Sequence, residues 1–379
     1  MTDLGLTTGI HEPGEEAVTP SMKRETGDFK SLEFTGTGRE YFGIWLGNIF
    51  LSIITLGIYS AWAKVRNKQY FYGHTRVLGD GFGYHATGMQ IFKGRLIIFA
   101  VLGAIFLLSS FLPLLLIVLV PVLLGLYPVI LNRSMAFDAR VTSWRTIRFG
   151  WHGTYFEAFC LLYLYPVAAY FSFGLALPWV SGKVARYLAR NRSLGQYRFD
   201  LEALKTSAIY RAALSTLGLG VVTGVAIVSY AYVELFSLIR SGQVDTPDIF
   251  GLIDAGRTDL VLIQYLGFGL LFLGFVAYQY QLRKLALNVL TLDRVASFRS
   301  EQGNLKVVGI VLSNVVLFVL TLGLATPWLA VRLHRYLTDT TAISVSDDLP
   351  TLIAQEQQAQ SAASAEFMDM NDFDIGAGL

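Results

Sequence analysis

The chain has 379 residues, of which 53% are hydrophobic and only 15% are charged, and its mean hydropathy is +0.49. A soluble globular protein carries about 25% charged residues, so this composition excludes a soluble enzyme, a nucleic-acid-binding protein and a disordered scaffold. The formal net charge of +2 is too small to indicate a polyanionic partner. The single cysteine, Cys160, lies in an apolar stretch, which excludes disulfides and cysteine-based metal sites.

Uncharged apolar stretches recur along the chain. They cover residues 41–63, 96–131, 158–182, 212–233, 260–282 and 307–331. Most of these stretches have the length that a helix needs to cross roughly 30 Å of hydrocarbon, and the second is long enough to be divided at Pro113 into two short spans. The sequence therefore predicts an all-α integral membrane protein with about seven apolar helical segments. Its connectors alternate polar and apolar residues, which predicts short β-strands or hairpins at the membrane surface.

The two ends of the chain differ from this middle part. Residues 1–33 form a polar N-terminal tail without the apolar core of a signal peptide. Residues 34–345 are predicted to be the membrane domain, and residues 346–379 an acidic disordered tail.

A sequence motif recurs three times within the membrane domain, in repeats predicted at about residues 40–88, 150–200 and 302–342. The pattern is G-[IL]-x-x-[AP]-W-x3-[RK]-x3-Y, and six positions match in each copy. Its main positions are Gly57, Trp62, Arg66 and Tyr70; Gly174, Trp179, Lys183 and Tyr187; and Gly323, Trp328, Arg332 and Tyr336.

This motif predicts a segment in which the chain leaves the bilayer and turns along the membrane surface. The glycine marks the end or bend of a membrane helix, the tryptophan suits the headgroup boundary, and the basic residue follows one turn later, where it can reach lipid phosphate. An interfacial anchor is the simpler interpretation. The alternative is a lipid-headgroup or substrate site that the three copies form together.

The same residues resemble those of a known family. Residues 34–38, 41–45, 55–66, 70–73, 93–96 and 148–151 are similar to the YjgN-like bacterial inner-membrane proteins, and the resemblance covers residues 34–345. The family is a domain of unknown function. The resemblance therefore implies a multi-pass protein of the bacterial inner membrane, but it implies no activity and no catalytic residues.

The positions of the 30 lysine and arginine residues favour no single topology. If every apolar segment crosses once, the two sides of the membrane hold 16 and 14 of them (4+0+7+5 and 6+4+2+2, counted along the chain), whereas bacterial membrane proteins normally show a clear bias. If the three motif-bearing segments return to the side that they entered, the split becomes 28 to 2. The ordinary length of these segments suits plain spans, so the sequence leaves both arrangements open.

Asn48 and Asn314 are polar residues at equivalent positions of two apolar segments. They predict either hydrogen bonds between helices or an intramembrane polar site on a substrate pathway. Nothing in the sequence specifies catalysis, a metal site or a cofactor, and we expect the protein not to be an enzyme. The expected partners are the lipid bilayer and its anionic headgroups, with no nucleic acid. Two functions follow as hypotheses: transport or lipid handling, and a non-transporting scaffold that binds anionic lipid or a protein partner.

Overall fold

The computed structural model describes residues 28–242, 256–293, 295–346, 353–355 and 358. Within them, helical hairpins alternate with short strands. The helices are α1 (Gly38–Ile54), α2 (Ser60–His74), α3 (Gly88–Phe111), α4 (Leu116–Arg140), α5 (Tyr155–Phe171), α6 (Leu177–Arg190), α7 (Thr206–Arg240), α8 (Thr258–Leu287), α9 (Asn304–Leu320) and α10 (Thr326–Asp339). Taken in consecutive pairs, these helices form five hairpins.

Eleven strands of two to five residues join the hairpins. They are β1 (Lys30–Ser31), β2 (Glu33–Phe34), β3 (Thr75–Val77), β4 (Asp80–Tyr84), β5 (Thr142–Trp144), β6 (Ile147–Trp151), β7 (Arg192–Leu194), β8 (Tyr197–Asp200), β9 (Thr291–Leu292), β10 (Ala296–Ser300) and β11 (Thr341–Val345). Each hairpin leaves one strand and returns to the neighbouring strand of the same sheet. All five hairpins therefore have their bases at the sheet.

The strands form one antiparallel sheet that is nearly closed into a barrel. Its order is β1-β11-β10-β9-β8-β7-β6-β5-β4-β3-β2. The two edge strands flank a single residue, Leu32, so that one extended segment pairs with both ends of the sheet. Lys30 lies opposite Ile343 of β11, and Glu33 lies opposite Arg76 of β3. This segment closes the ring.

The prediction of an all-α fold with seven helical segments is wrong. The connectors do contain strands, but these strands assemble into one 11-stranded barrel-like sheet. Among the described residues, four helical stretches are long and apolar enough to cross a membrane: Gly88–Phe111, Pro113–Arg140, Thr206–Arg240 and Thr258–Leu287. They form the second and fourth hairpins. The three motif-bearing segments are instead divided by tight turns into the paired helices of the first, third and fifth hairpins.

The five hairpins pack side by side in a ring. Each hairpin contacts the next one along the chain, and α10 of the fifth hairpin packs against α1 of the first.

The closest helix pair is α7 with α8, where glycines allow the backbones to approach. A Cβ atom added to Gly220 would lie 2.9 Å from the Cα atom of Gly274, and one added to Gly224 would lie 2.8 Å from the carbonyl oxygen of Gly267.

Alanine substitutions of these glycines test the close approach. We expect Gly220→Ala and Gly224→Ala to lower the free energy of unfolding by about 1–3 kcal/mol each, because the added methyl group meets backbone atoms that cannot move aside. Gly43→Ala and Gly47→Ala are matched controls, since an added Cβ atom meets nothing within 4 Å at either position. Thermal unfolding of the detergent-purified variants measures the difference. Equal unfolding temperatures for the two pairs would contradict the packing.

Candidate functional site

The three motif glycines lie at the tips of the short hairpins. Gly57, Gly174 and Gly323 have φ angles of +89°, +84° and +86°, in the left-handed region that favours glycine. A bulky residue precedes each glycine and is also left-handed. These residues, Leu56, Phe173 and Leu322, are 94%, 98% and 92% exposed. Each short hairpin thus presents a large apolar side chain at its outermost point.

The backbone N–H groups of each tip donate hydrogen bonds within the turn. In the first hairpin, every backbone N–H from Thr55 to Ala61 donates a hydrogen bond inside the turn. Among the described residues, no carbonyl oxygen accepts a hydrogen bond from the N–H group of Tyr59, which donates instead to Oγ1 of Thr55 at 2.9 Å. Ser172 accepts from the N–H of Ala176 in the same way, and Thr321 accepts from the N–H of Ala325. Such a turn meets the requirement that hydrocarbon places on irregular backbone.

The motif tyrosines connect each short hairpin at its base, far from the tip. The hydroxyl of Tyr70 donates to the carbonyl oxygen of Thr37, the N-cap residue of α1, at 2.7 Å. The hydroxyl of Tyr336 accepts from the N–H of Gly303, the N-cap residue of α9, at 2.9 Å. In the third hairpin, Tyr187 donates to Asn132, whose side-chain amide donates to the carbonyl oxygen of the N-cap residue Thr154. Each tyrosine therefore ties the second helix of a hairpin to the start of the first helix.

The motif tryptophans have different neighbours in the three copies. Trp62 packs over Gly88 at the start of α3, and Trp328 packs over Gly38 at the start of α1, so that each joins one hairpin to the next. Trp179 instead contacts Tyr165 of its own hairpin, with ring centroids 5.0 Å apart. The headgroup anchor at these tryptophans stays a prediction.

The basic residues of the motif lie on the outside of the hairpins. Arg66 is exposed and lies 5.7 Å from the ring of Tyr59, and Lys183 lies 5.6 Å from the ring of Trp179. Arg332 is exposed and donates to Oγ of Ser313 at 3.0 Å. Each of these three side chains has its contact within its own hairpin, and none of these contacts joins two of them.

The two asparagines of the apolar segments each bond to the second helix of their own hairpin. Asn48 is 5% exposed and donates to Oδ1 of Asn67 at 2.9 Å. Asn314 donates to the carbonyl oxygen of Leu329 at 3.2 Å. These contacts favour the alternative of hydrogen bonds between helices. An intramembrane polar site at these residues stays a prediction.

The barrel encloses a cavity of about 450 Å³, which falls within the 300–1,000 Å³ that small-molecule sites occupy. Its wall is mainly apolar. Four phenylalanines from successive hairpin connections, Phe82, Phe149, Phe199 and Phe298, follow one another along this wall, with neighbouring ring centroids 6.2, 6.5 and 6.2 Å apart. Ile353, from the short helical stretch 353–355 in the acidic tail, is buried against the same wall. The rest of that tail, apart from Ser346 and residue 358, lies outside the described residues.

Polar side chains line the cavity at the end that faces the helices. They are Thr75, Asp138, Thr142, Arg192, Arg283, His334, Thr338 and Thr341. Nε2 of His334 lies 2.9 Å from Oγ1 of Thr75, a contact that joins the fifth hairpin to the first. Burial lowers the pKa of His334, and the positive charge of Arg283 lowers it further, so the imidazole is neutral near pH 7. Asp138 binds Lys68 at 2.6 Å through Oδ2.

A groove between α2 and α10 adjoins this polar end. It shares Tyr72 and His334 with the barrel cavity, and its other walls include Phe71, Leu333 and Leu337. The groove lies in the helical part of the molecule and is more open than the cavity. The barrel cavity and this mainly apolar cleft between the first and last hairpins therefore lie next to each other.

The chain matches, over residues 29–370, the family described as bacterial protein of unknown function (DUF898). This chain belongs to that family. Inner membrane protein YjgN of Salmonella typhimurium is 26% identical over 374 residues, which cover 85% of this chain and 90% of the relative. The YjgN proteins of Escherichia coli O157:H7 and strain K12 are each 36% identical over 123 residues, which cover 32% of this chain and 31% of each relative. No solved structure matches the chain.

The family resemblance expected from the sequence is thus confirmed. The relatives are inner-membrane proteins by name, and the apolar helices of this chain agree with that location. Within the ranges that the structure describes, no group of three or more His, Cys, Asp or Glu side chains could hold a metal ion.

The sequence interpretation missed the cavity and the tight turns, but the sequence contains a signal of each. Phe82, Phe199 and Phe298 each end a similar connector, and Phe149 follows an alternating stretch. A second recurring pattern marks the tight turns: a serine or threonine, a bulky apolar residue and a glycine. It occurs at Thr55-Leu56-Gly57, Ser172-Phe173-Gly174 and Thr321-Leu322-Gly323. Arg283 gave no such signal, because a basic residue just after an apolar stretch is typical of any membrane helix end.

The hydroxyl group at the hairpin tip is tested by exchanging Thr55. We expect Thr55→Val, which keeps the side-chain shape, to lower the free energy of unfolding by about 1–3 kcal/mol, because the N–H of Tyr59 loses its acceptor. Thr55→Ser should retain wild-type stability, since Ser172 does the same at the third hairpin. Thermal unfolding in lipid nanodiscs measures both variants. A valine variant as stable as the serine variant would show that the hydroxyl is dispensable.

Proposed function

We propose that this chain is a multi-pass inner-membrane protein that handles lipid, and that the barrel cavity binds the apolar chain of an amphipathic molecule. In this proposal, the second and fourth hairpins cross the bilayer. The first, third and fifth hairpins, as copies of one internal repeat, enter from the barrel side and return. The cavity carries the proposal, because it combines an enclosed apolar wall with a polar end beside the membrane helices.

Helix lengths support this topology. The first helix of the first hairpin has 17 residues and spans about 25 Å, less than the roughly 30 Å of the hydrocarbon core, and its turn carries the exposed Leu56. The helix Gly88–Phe111 has 24 residues and spans about 36 Å. Because every hairpin returns to the barrel, 28 of the 30 basic residues lie at the barrel end in this arrangement, which points to the cytoplasmic side.

Single cysteines introduced into a Cys160→Ser background test this topology in intact cells. We expect Glu202→Cys, in the connection between β8 and α7, to react with a membrane-impermeant thiol reagent only after the cells are opened. Gly242→Cys, at the far end of α7, should react in intact cells. Leu56→Cys and Leu322→Cys, at short-hairpin tips, should react in neither case. Reaction of either tip cysteine in intact cells would show that the short hairpins cross the membrane.

The shape of the cavity favours a ligand with one apolar chain. The phenylalanine wall offers dispersion contacts and no hydrogen bonds, whereas the polar residues all belong to the end beside the helices. The groove between α2 and α10 adjoins this end and offers a route from the bilayer. Ile353 packs within the barrel core, so the proposal is binding rather than conduction through the barrel. The proposed activity requires no chemical reaction.

Filling the cavity tests ligand binding. We expect Ala296→Phe to weaken binding of a fluorescent fatty acid by about ten-fold or more, because Ala296 lines the cavity and the larger side chain occupies ligand volume. Ser297→Phe is the matched control, since the next residue of the same strand points to the other face of the sheet. Fluorescence titration of nanodisc-reconstituted protein measures the affinities, and thermal unfolding confirms that both variants are folded.

Two results would contradict the proposal. Equal loss of affinity in the two phenylalanine variants would place the ligand outside the barrel. A folded wild-type protein that binds no amphiphile, and that carries no lipid on native mass spectrometry, would favour the alternative of a scaffold whose barrel is a packed core.

A further inference from the structure

Arg283 brings a half-buried positive charge to the polar end of the barrel cavity. It lies in the last part of α8 and lines the cavity. Its guanidinium group donates to Oε1 of Gln302 at 2.7 Å, to Oγ1 of Thr341 at 3.1 Å and to the carbonyl oxygen of Leu337 at 3.3 Å. All three acceptors are neutral. In the part of the chain that the structure describes, no carboxylate lies within ion-pair distance of Arg283.

The other ionisable groups of the cavity do not neutralise this charge. Asp138 is engaged by Lys68, which approaches both carboxylate oxygens. His334 bonds to Thr75 and is neutral or positive at any pH. Arg192 is a second guanidinium on the same cavity and is exposed. The polar end of the cavity therefore carries an excess of positive charge.

A buried charge without a counter-charge is unfavourable. The protein holds the Arg283 charge in place without a counter-charge from the residues that the structure describes. The side-chain amide of Gln302, which is completely buried, accepts a hydrogen bond from the guanidinium group, and the hydroxyl of Thr341 accepts another. A fixed, planar guanidinium group is the side chain best matched to a carboxylate or phosphate.

We propose that Arg283 binds the acidic headgroup of the amphiphile, so that the ligand of this protein is an anionic single-chain lipid with a carboxylate or phosphate group. The inference rests on the proposed function of the barrel cavity. The acidic group lies at the polar end with Arg283, and the chain extends along the wall of phenylalanines. This arrangement lets the ligand supply the negative charge that the described part of the cavity lacks.

Three probes with the same twelve-carbon chain test the charge requirement. Dodecanoate, dodecyl phosphate and dodecanol are titrated into wild-type protein in nanodiscs of zwitterionic lipid. We expect both anions to bind about ten-fold or more tightly than the alcohol, as the loss of a charge-assisted hydrogen bond predicts. Inorganic phosphate, the fourth probe, should neither bind at millimolar concentration nor displace the chain-bearing anions. Displacement would show that the site serves a free anion instead of a lipid.

Variants of Arg283 then assign the preference to this residue. In Arg283→Gln the advantage of the anions over dodecanol should disappear, and Arg283→Lys should retain part of the advantage. Thermal unfolding reports whether each variant is folded, and the wild-type comparison of probes decides the inference even if Arg283→Gln does not fold. Equal wild-type affinity for all three chains would overturn the headgroup assignment and leave the proposed function standing. Failure of every chain to bind would instead refute the proposed function.

Discussion

A backbone that reverses its direction between two apolar helices must find its hydrogen-bond partners close by, and this constraint shapes the short hairpins. They meet it with a left-handed pair of residues, a bulky one and a glycine, closed by a serine or threonine hydroxyl. The N–H groups of these three turns need no acceptor from elsewhere, and each short hairpin begins and ends at the same sheet.

Packing between hairpins adds the second level of organisation. Trp62 and Trp328 fill the space over glycines at the start of a neighbouring hairpin, and α7 and α8 approach through glycines on both helices. Tyr70 and Tyr336 then fix the base of their hairpins by bonds to helix N-caps. In the described part of the chain, the result separates apolar side chains outside the hairpins from a cavity inside the sheet. This cavity has the volume of a small-molecule site.

The sequence predicts the apolar segments and the recurring motif, but it conceals the sheet. The strands have two to five residues, too few for the alternation of side chains to stand out, and the closure of the sheet depends on β1 pairing with β11, more than 300 residues away. The same shortness hides the cavity, since each phenylalanine of its wall comes from a different connection. By contrast, Gly57 and its two equivalents predict a break in a membrane helix, and the structure has a reversal there. Whether such a break reverses the chain depends on Thr55 bonding to Tyr59, which no spacing rule specifies.

The extended segment around Leu32 has a consequence for biosynthesis. This segment is synthesised long before β11, one of its two partner strands. The barrel therefore stays open until β11 has been made, with unpaired strand edges on both sides of the seam. A truncated polypeptide that lacks β11 would expose the seam to aggregation or quality-control proteases.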